Sequence, residues 1–125
     1  MPNLTIAVPD PAAEAERYER ILGTVATTGT DGSFSLAAGH ARIVLETPRS
    51  LELRLGKLAP DPRDALGQPR AAYMAALTLR TESLGQTEEA LRAGGMEAVR
   101  TGPTSLAVAA ADAMNCALEF EASAP

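Results

Sequence analysis

Cysteine and aromatic residues are scarce in this sequence. Cys116 is the single cysteine among 125 residues, so no disulfide can form within the chain, which fits a reducing cytoplasm. Aromatic residues make up 3% of the chain, whereas hydrophobic residues make up 46%. The core must therefore be built mainly from leucine, valine, isoleucine and alanine side chains.

Long apolar runs and clusters of basic residues are also missing. No apolar stretch approaches the roughly 20 residues that a membrane helix needs, and we expect no signal peptide because no basic and apolar leader pattern is present. The net charge is −5, without a run of lysine and arginine. Nucleic-acid binding requires clustered cations, so we expect a soluble cytoplasmic protein with no nucleic-acid and no membrane partner.

The first half of the chain begins with a strand and a helix. Apolar and polar residues alternate over 3–8, which is typical of a strand with one covered face. Asp10 and Pro11 are typical of a helix start, and Gly23 of a helix end. Three short strands are predicted next, at 25–28, 34–36 and 43–45.

The second half repeats this order. A strand over 76–80 precedes a capping pattern at Ser83 and Gln86, and the following helix ends at Gly94-Gly95. Further strands are predicted at 96–101, 106–110 and 116–121. Each half thus reads strand, helix and three strands, which indicates a duplicated βαβββ module.

The stretch between the halves is rich in proline and charge. It contains a short predicted helix over 51–58, which we expect to pack on its own sheet, and a connector over 59–70. The predicted organisation is one domain over 1–125, with module one at about 1–47, a connecting region at about 48–72 and module two at about 73–122.

The modules resemble the vicinal oxygen chelate superfamily, which includes glyoxalase I, bleomycin resistance proteins and extradiol dioxygenases. The segments that carry the resemblance are LTIAVPDPAAEAERYERILG at 4–23, AALTLRTESLGQTEEALRAGG at 75–95 and NCALEFE at 115–121. The resemblance implies an α+β fold in which two βαβββ modules form a curved mixed sheet, a cup, with the helices outside.

The resemblance also implies where metal ligands would lie. In the superfamily they are a His or Gln near the start of each module and a Glu on each module's last strand. The corresponding opening positions here are Asn3 and Ala76, which are poor ligands or none. The second last-strand position is Glu119, and the first is either Val44 or Glu46. We therefore predict no cofactor and no bound metal; if a metal is present, Glu46 and Glu119 are its expected ligands.

Strand alternation assigns a set of small and polar residues to the cup. Leu4, Ile6 and Leu77 should lie under the helices, so residues of the other parity should face the cup. We predict that these line a ligand-binding surface: Asn3, Thr5, Thr78, Arg80 and Glu119. The catalytic residue is unknown, with Glu119 the best candidate, and Arg80 is its expected partner.

Two other reactive side chains have simpler interpretations. His40 follows Gly39 in a predicted turn, where an exposed position is expected. Cys116 lies in an apolar stretch with the parity of Leu118, so it is interpreted as a small buried side chain rather than a nucleophile.

Three functions fit the sequence. The first is a glyoxalase-like protein of unknown specific activity that binds a small, apolar or aromatic molecule in the cup without a metal. The second is a metal-dependent lyase, isomerase or dioxygenase of the superfamily type. The third is an association module without a small-molecule role. Whether the protein is an enzyme is left open, and a homodimer is expected because related proteins pair and edge strands need cover.

Overall fold

A computed structural model describes residues 2–122 of the chain. It confirms two successive sets of one strand, one helix and three strands, with a further helix between them. The elements are β1 (Asn3–Ala7), α1 (Pro11–Leu22), β2 (Thr27–Thr28), β3 (Phe34–Ala38), β4 (Ala41–Glu46), α2 (Pro48–Leu55), β5 (Tyr73–Thr81), α3 (Leu84–Ala93), β6 (Ala98–Gly102), β7 (Ser105–Val108) and β8 (Ala117–Ala122).

The eight strands form one curved mixed sheet in the order β2-β3-β4-β1-β5-β8-β7-β6. Within the halves, β1 pairs in parallel with β4, and β5 pairs in parallel with β8. The two halves meet where β1 runs antiparallel to β5. The predicted α+β fold of two βαβββ modules is therefore confirmed.

The ends of the two long helices also follow the sequence pattern. Asp10 Oδ1 accepts a hydrogen bond from the backbone N–H of Ala13, at 3.3 Å, at the start of α1. At the other end Gly23 has φ +69°, a left-handed conformation that glycine adopts without strain. Ser83 Oγ accepts from the backbone N–H of Gln86, at 3.2 Å, at the start of α3.

One face of the first module is covered by α1. Ala15 of this helix is buried with Val8, Leu36 and Leu45, and Ile6 packs against the same cluster. This is the arrangement that the alternation over 3–8 predicts.

Helix α2 lies on the opposite face of the sheet, which we call the inner face and define by Thr5, Ala7, Ala76 and Ala117. Its Leu51 and Leu55 form a buried cluster with Ala7, Ala76 and Ala117. The prediction that this helix packs on its own sheet is confirmed. The expectation of helices outside the cup needs one refinement, because it holds for α1 and α3 while α2 covers the inner face.

Helix α3 packs less closely than α1. None of its residues, all of which belong to the described part of the chain, is buried. Leu77 and Leu118, on the strands of the same module, are only partly buried. The duplicated halves therefore share a topology but differ in how tightly their outer helix is held.

Several elements differ from the sequence prediction in their extent. Helix α2, predicted over 51–58, spans Pro48–Leu55, and a 3-10 turn follows over Gly56–Leu58. Strand β2 is limited to Thr27–Thr28, and the expected strand residue Val25 is 84% exposed. Strand β7 ends at Val108 because a short 3-10 turn occupies Ala110–Asp112. Within residues 2–122, no helix has both the length and the apolar composition needed to cross a membrane.

The contact of α2 with the inner face leads to a stability prediction. Replacement of Leu51, which is 1% exposed, by alanine removes its contacts and leaves a cavity, so the free energy of unfolding should fall by about 3 kcal/mol. Leu53 lies on the same helix but is 80% exposed, and Leu53→Ala should change it by less than about 0.5 kcal/mol. Urea denaturation of the two variants measures both values. Equal losses would contradict the docking of α2 through Leu51.

Candidate functional site

Three charged side chains meet on the inner face, and we call them the Arg54 cluster: Glu46, Arg54 and Glu119. Arg54 Nη2 donates to Glu46 Oε1 at 3.0 Å, and Arg54 Nη1 donates to Glu119 Oε1 at 3.3 Å. One guanidinium thus joins the last strand of module one to the last strand of module two.

Local structure explains how these groups come together. Glu46 is the last residue of β4, and the next residue, Thr47, caps α2 by accepting from the backbone N–H of Ser50 at 3.1 Å. On α2, Arg54 follows Leu51 by three residues, so both lie on the side of the helix that faces the sheet. Glu119 is placed by β8, which pairs in parallel with β5.

The three groups differ in their exposure to solvent. The side chain of Glu46 is 4% exposed, that of Glu119 is 14% exposed and that of Arg54 is 38% exposed. The second oxygen of Glu46 accepts from Ser50 Oγ at 3.0 Å, so both of its carboxylate oxygens have donors. These donors satisfy the hydrogen-bonding capacity of a deeply buried side chain, which would otherwise be costly to bury.

The electrostatics of the cluster favour a charged guanidinium. Burial is the largest single influence on Arg54 and by itself would lower its pKa. The neighbouring charges and hydrogen bonds of Glu46 and Glu119 outweigh burial, so the pKa of Arg54 is raised above its ordinary value. The guanidinium is therefore a permanent cation between two carboxylates.

Of the five predicted ligand-binding residues, Glu119 belongs to this cluster, and Asn3, Thr5 and Thr78 lie on the two strands between β4 and β8. Asn3 pairs with Thr78 across β1 and β5, and Thr78 pairs with Glu119 across β5 and β8. Thr5 and Thr78 are buried. Arg80 is exposed and pairs through its backbone with Glu121. The role of the set in ligand binding stays a prediction.

The structure decides which residue of β4 belongs to the cluster. Val44 pairs with Thr5, just as Glu119 pairs with Thr78, so Val44 is the positional counterpart of Glu119 in the repeat. Glu46, two residues further along the same face, is nevertheless the group that reaches Arg54. The two carboxylates are thus not related by the internal repeat.

Arg54 is the site residue that the sequence interpretation missed. The signal was present, because an arginine on the same helical face as Leu51 and Leu55 needs an acidic partner when that face is buried. The sequence interpretation instead proposed Arg80 as the partner of Glu119, whereas the structure places Arg54 against it.

The inner face does not fit a divalent metal ion. Among residues 2–122 no group of three or more His, Cys, Asp or Glu side chains could hold one. Glu46 and Glu119, the ligands expected if a metal were present, are already joined by a guanidinium. His40 is exposed in the turn between β3 and β4.

Cys116 has little character of a nucleophile. Its side chain is partly exposed, and burial raises the pKa of its thiol above the ordinary value. Less thiolate is therefore present at neutral pH than for a free cysteine, and the thiolate is the reactive form.

A recess lies between α2 and the connector, and we call it the α2 recess. Its volume is about 540 Å³. It is lined by Pro48, Arg49, Leu51, Glu52, Gly56, Ala59, Pro60, Pro62, Arg63 and Tyr73. The Arg70 guanidinium stacks on the Tyr73 ring, 3.7 Å from its centre. Burial raises the pKa of Tyr73, so its hydroxyl stays protonated at neutral pH and can donate a hydrogen bond.

Comparison with solved structures identifies the fold. Methylmalonyl-CoA epimerase from Mycobacterium tuberculosis is 22% identical, with a TM-score of 0.61, over 98% of this chain and 87% of that chain. NAD-dependent benzaldehyde dehydrogenase from Legionella pneumophila is 12% identical, with a TM-score of 0.58, over 99% of this chain and 100% of that chain. A variant of the Streptomyces coelicolor methylmalonyl-CoA epimerase is 14% identical, with a TM-score of 0.54, over 98% of this chain and 92% of that chain.

These similarities establish the fold of the chain but not its specific activity or its metal content. The chain shares its fold with methylmalonyl-CoA epimerase, and this is the two-module fold that the sequence resemblance implies. No protein-family model and no curated protein sequence matches the chain.

The geometry of the Arg54 cluster leads to a prediction of unequal coupling. Double-mutant cycles on the free energy of unfolding should give a coupling energy of about 1–2 kcal/mol for the Glu46–Arg54 pair. The coupling energy of the Glu119–Arg54 pair should be less than about 1 kcal/mol. The first pair is shorter and its carboxylate is more buried, while solvent at Arg54 screens both pairs. The cycles use Glu46→Gln, Glu119→Gln and Arg54→Met. A stronger Glu119 coupling would contradict the described geometry.

Proposed function

We propose that this chain binds a small, largely apolar molecule carrying an acidic group in the α2 recess, without a metal ion. The observation that carries the proposal is the recess itself, about 540 Å³ in volume and next to a helix that covers the inner face. Small-molecule sites are commonly clefts of roughly 300–1,000 Å³ with apolar walls and few polar groups.

The chemistry of the recess suggests the class of ligand. Leu51, Ala59 and Tyr73 supply apolar and aromatic surface, which suits a hydrocarbon or an aromatic ring. Arg49 and Arg63 supply positive charge, which suits a carboxylate or a phosphate, while Glu52 lines the same recess and Asp61 pairs with Arg63 at 3.7 Å. An aromatic carboxylate combines both features and is our preferred probe.

A related ligand class comes from the structural neighbours. The Streptomyces coelicolor epimerase has been solved in complex with 2-nitronate-propionyl-CoA. An acyl-CoA also combines an acyl chain with negative charge, so we include it as a second probe of the same recess.

The inner face is a second candidate binding surface. Its proposed lining is the predicted set Asn3, Thr5, Thr78, Arg80 and Glu119. Leu51 and Leu55 pack on this face beside the set, so a ligand of any size there would require α2 to move aside. The metal-dependent lyase, isomerase and dioxygenase alternatives gain no support, because Glu46 and Glu119 are both held by Arg54.

Calorimetric titration with 2-naphthoate and with propionyl-CoA tests the recess. We expect at least one of them to bind, and Arg63→Ala and Tyr73→Ala each to weaken binding on the order of tenfold. Lys57→Ala is the control, because Lys57 is an exposed cation of the same region that does not line the recess. Affinity that falls in Glu119→Ala but not in Arg63→Ala would move the site to the inner face. No binding of either probe would argue for the association role.

We further propose that the protein is a cytoplasmic homodimer. The ends of the sheet are β2 and β6, whose outer edges have no neighbouring strand in the described chain. Unpaired edges favour association with another chain. Light scattering at micromolar concentration should give twice the mass of the 13.0 kDa chain, and a value for the monomer would contradict the proposal.

A further inference from the structure

We propose that Arg54 is a built-in counter-ion that lies between Glu46 and Glu119 and keeps divalent cations away from them. This inference concerns the inner face and is independent of ligand binding in the α2 recess. It assigns the guanidinium a double role, as the charge that neutralises two carboxylates and as the group that excludes a metal from them.

The first argument is the need for a positive charge at this point. Glu46 and Glu119 come from the last strands of different modules, and both reach one guanidinium, at 3.0 Å and 3.3 Å. Two carboxylates that share so small a space repel each other unless a cation lies between them. Glu46, with its side chain 4% exposed, has little access to solvent counter-ions.

The second argument is that the donor set suits a guanidinium and not a metal. Arg54 supplies separate N–H groups for the two carboxylates, and Ser50 Oγ supplies a donor for the remaining oxygen of Glu46. A metal held as tightly as in a dedicated site would instead require a third acidic or imidazole ligand, so the two carboxylates alone suit only a weakly held, largely hydrated ion. No such group of three is present among residues 2–122.

The third argument is that the cation is fixed by the fold. Leu51 and Leu55 hold α2 against the alanines of the inner face, and Arg54 lies between them in sequence. The positive charge is therefore part of the folded chain, and no cation has to be bound from solution. A divalent ion could reach these oxygens once the guanidinium is removed, because carboxylate oxygens are ligands that Mn²⁺ accepts.

The test compares the response of the melting temperature to manganese in three proteins. Without metal, Arg54→Met should lower the melting temperature by roughly 5 °C or more, because it leaves a buried carboxylate unpaired. Addition of MnCl₂ at about 5 mM should recover part of this loss, since an ion that binds the folded state raises its stability. The wild type and Lys57→Met, which removes a nearby exposed charge, should not respond.

Two further measurements distinguish the proposal from non-specific effects. The double variant Arg54→Met/Glu119→Gln should lose the manganese response, because one of the two carboxylates is gone. Electron paramagnetic resonance titration of the wild type with Mn²⁺ needs no folded variant and should show no saturable site. A saturable wild-type site, or a folded Arg54→Met protein that responds no more than Lys57→Met, would overturn the proposal.

Discussion

The inner face of this protein depends on the packing of one short helix against alanines. Leu51 and Leu55 fit there because Ala7, Ala76 and Ala117 leave room above the strands. Larger residues at these strand positions would hold the helix away from the sheet. Then Arg54 could not reach Glu46 and Glu119, and the α2 recess would lose one wall. The alanine surface is thus the constraint on which both described sites depend.

The same packing separates the concave inner face from the recess in which a ligand is proposed to bind, although a curved sheet can combine the two. In a cup built from two modules, the concave inner face is a natural place for a ligand, because small-molecule sites are concave. Here the helix and its arginine cover part of that face. The α2 recess lies between α2 and the connector, so it is formed largely by a segment outside the repeat.

The sequence predicted those features that depend on short-range patterns. Asp10 and Ser83 were identified as helix caps because capping needs a particular side chain next to a particular backbone group. The Arg54 cluster could not be predicted in the same way. Val44 and Glu46 have equal parity, so alternation cannot choose between them, and the choice is made by the position of α2. The recess depends on the path of a proline-rich connector, which has no periodicity to interpret.

The loose packing of α3 has a consequence for how the molecule opens. Helix α1 buries Ala15 in a cluster with Val8 and Leu36, whereas α3 buries no residue of the ten it contains, all within the described chain. Local opening is easiest where few apolar groups are removed from water. Amide hydrogens beneath α3 should therefore exchange with deuterium before those beneath α1. Although the halves share one pattern and one sheet, the region of α3 should open before that of α1.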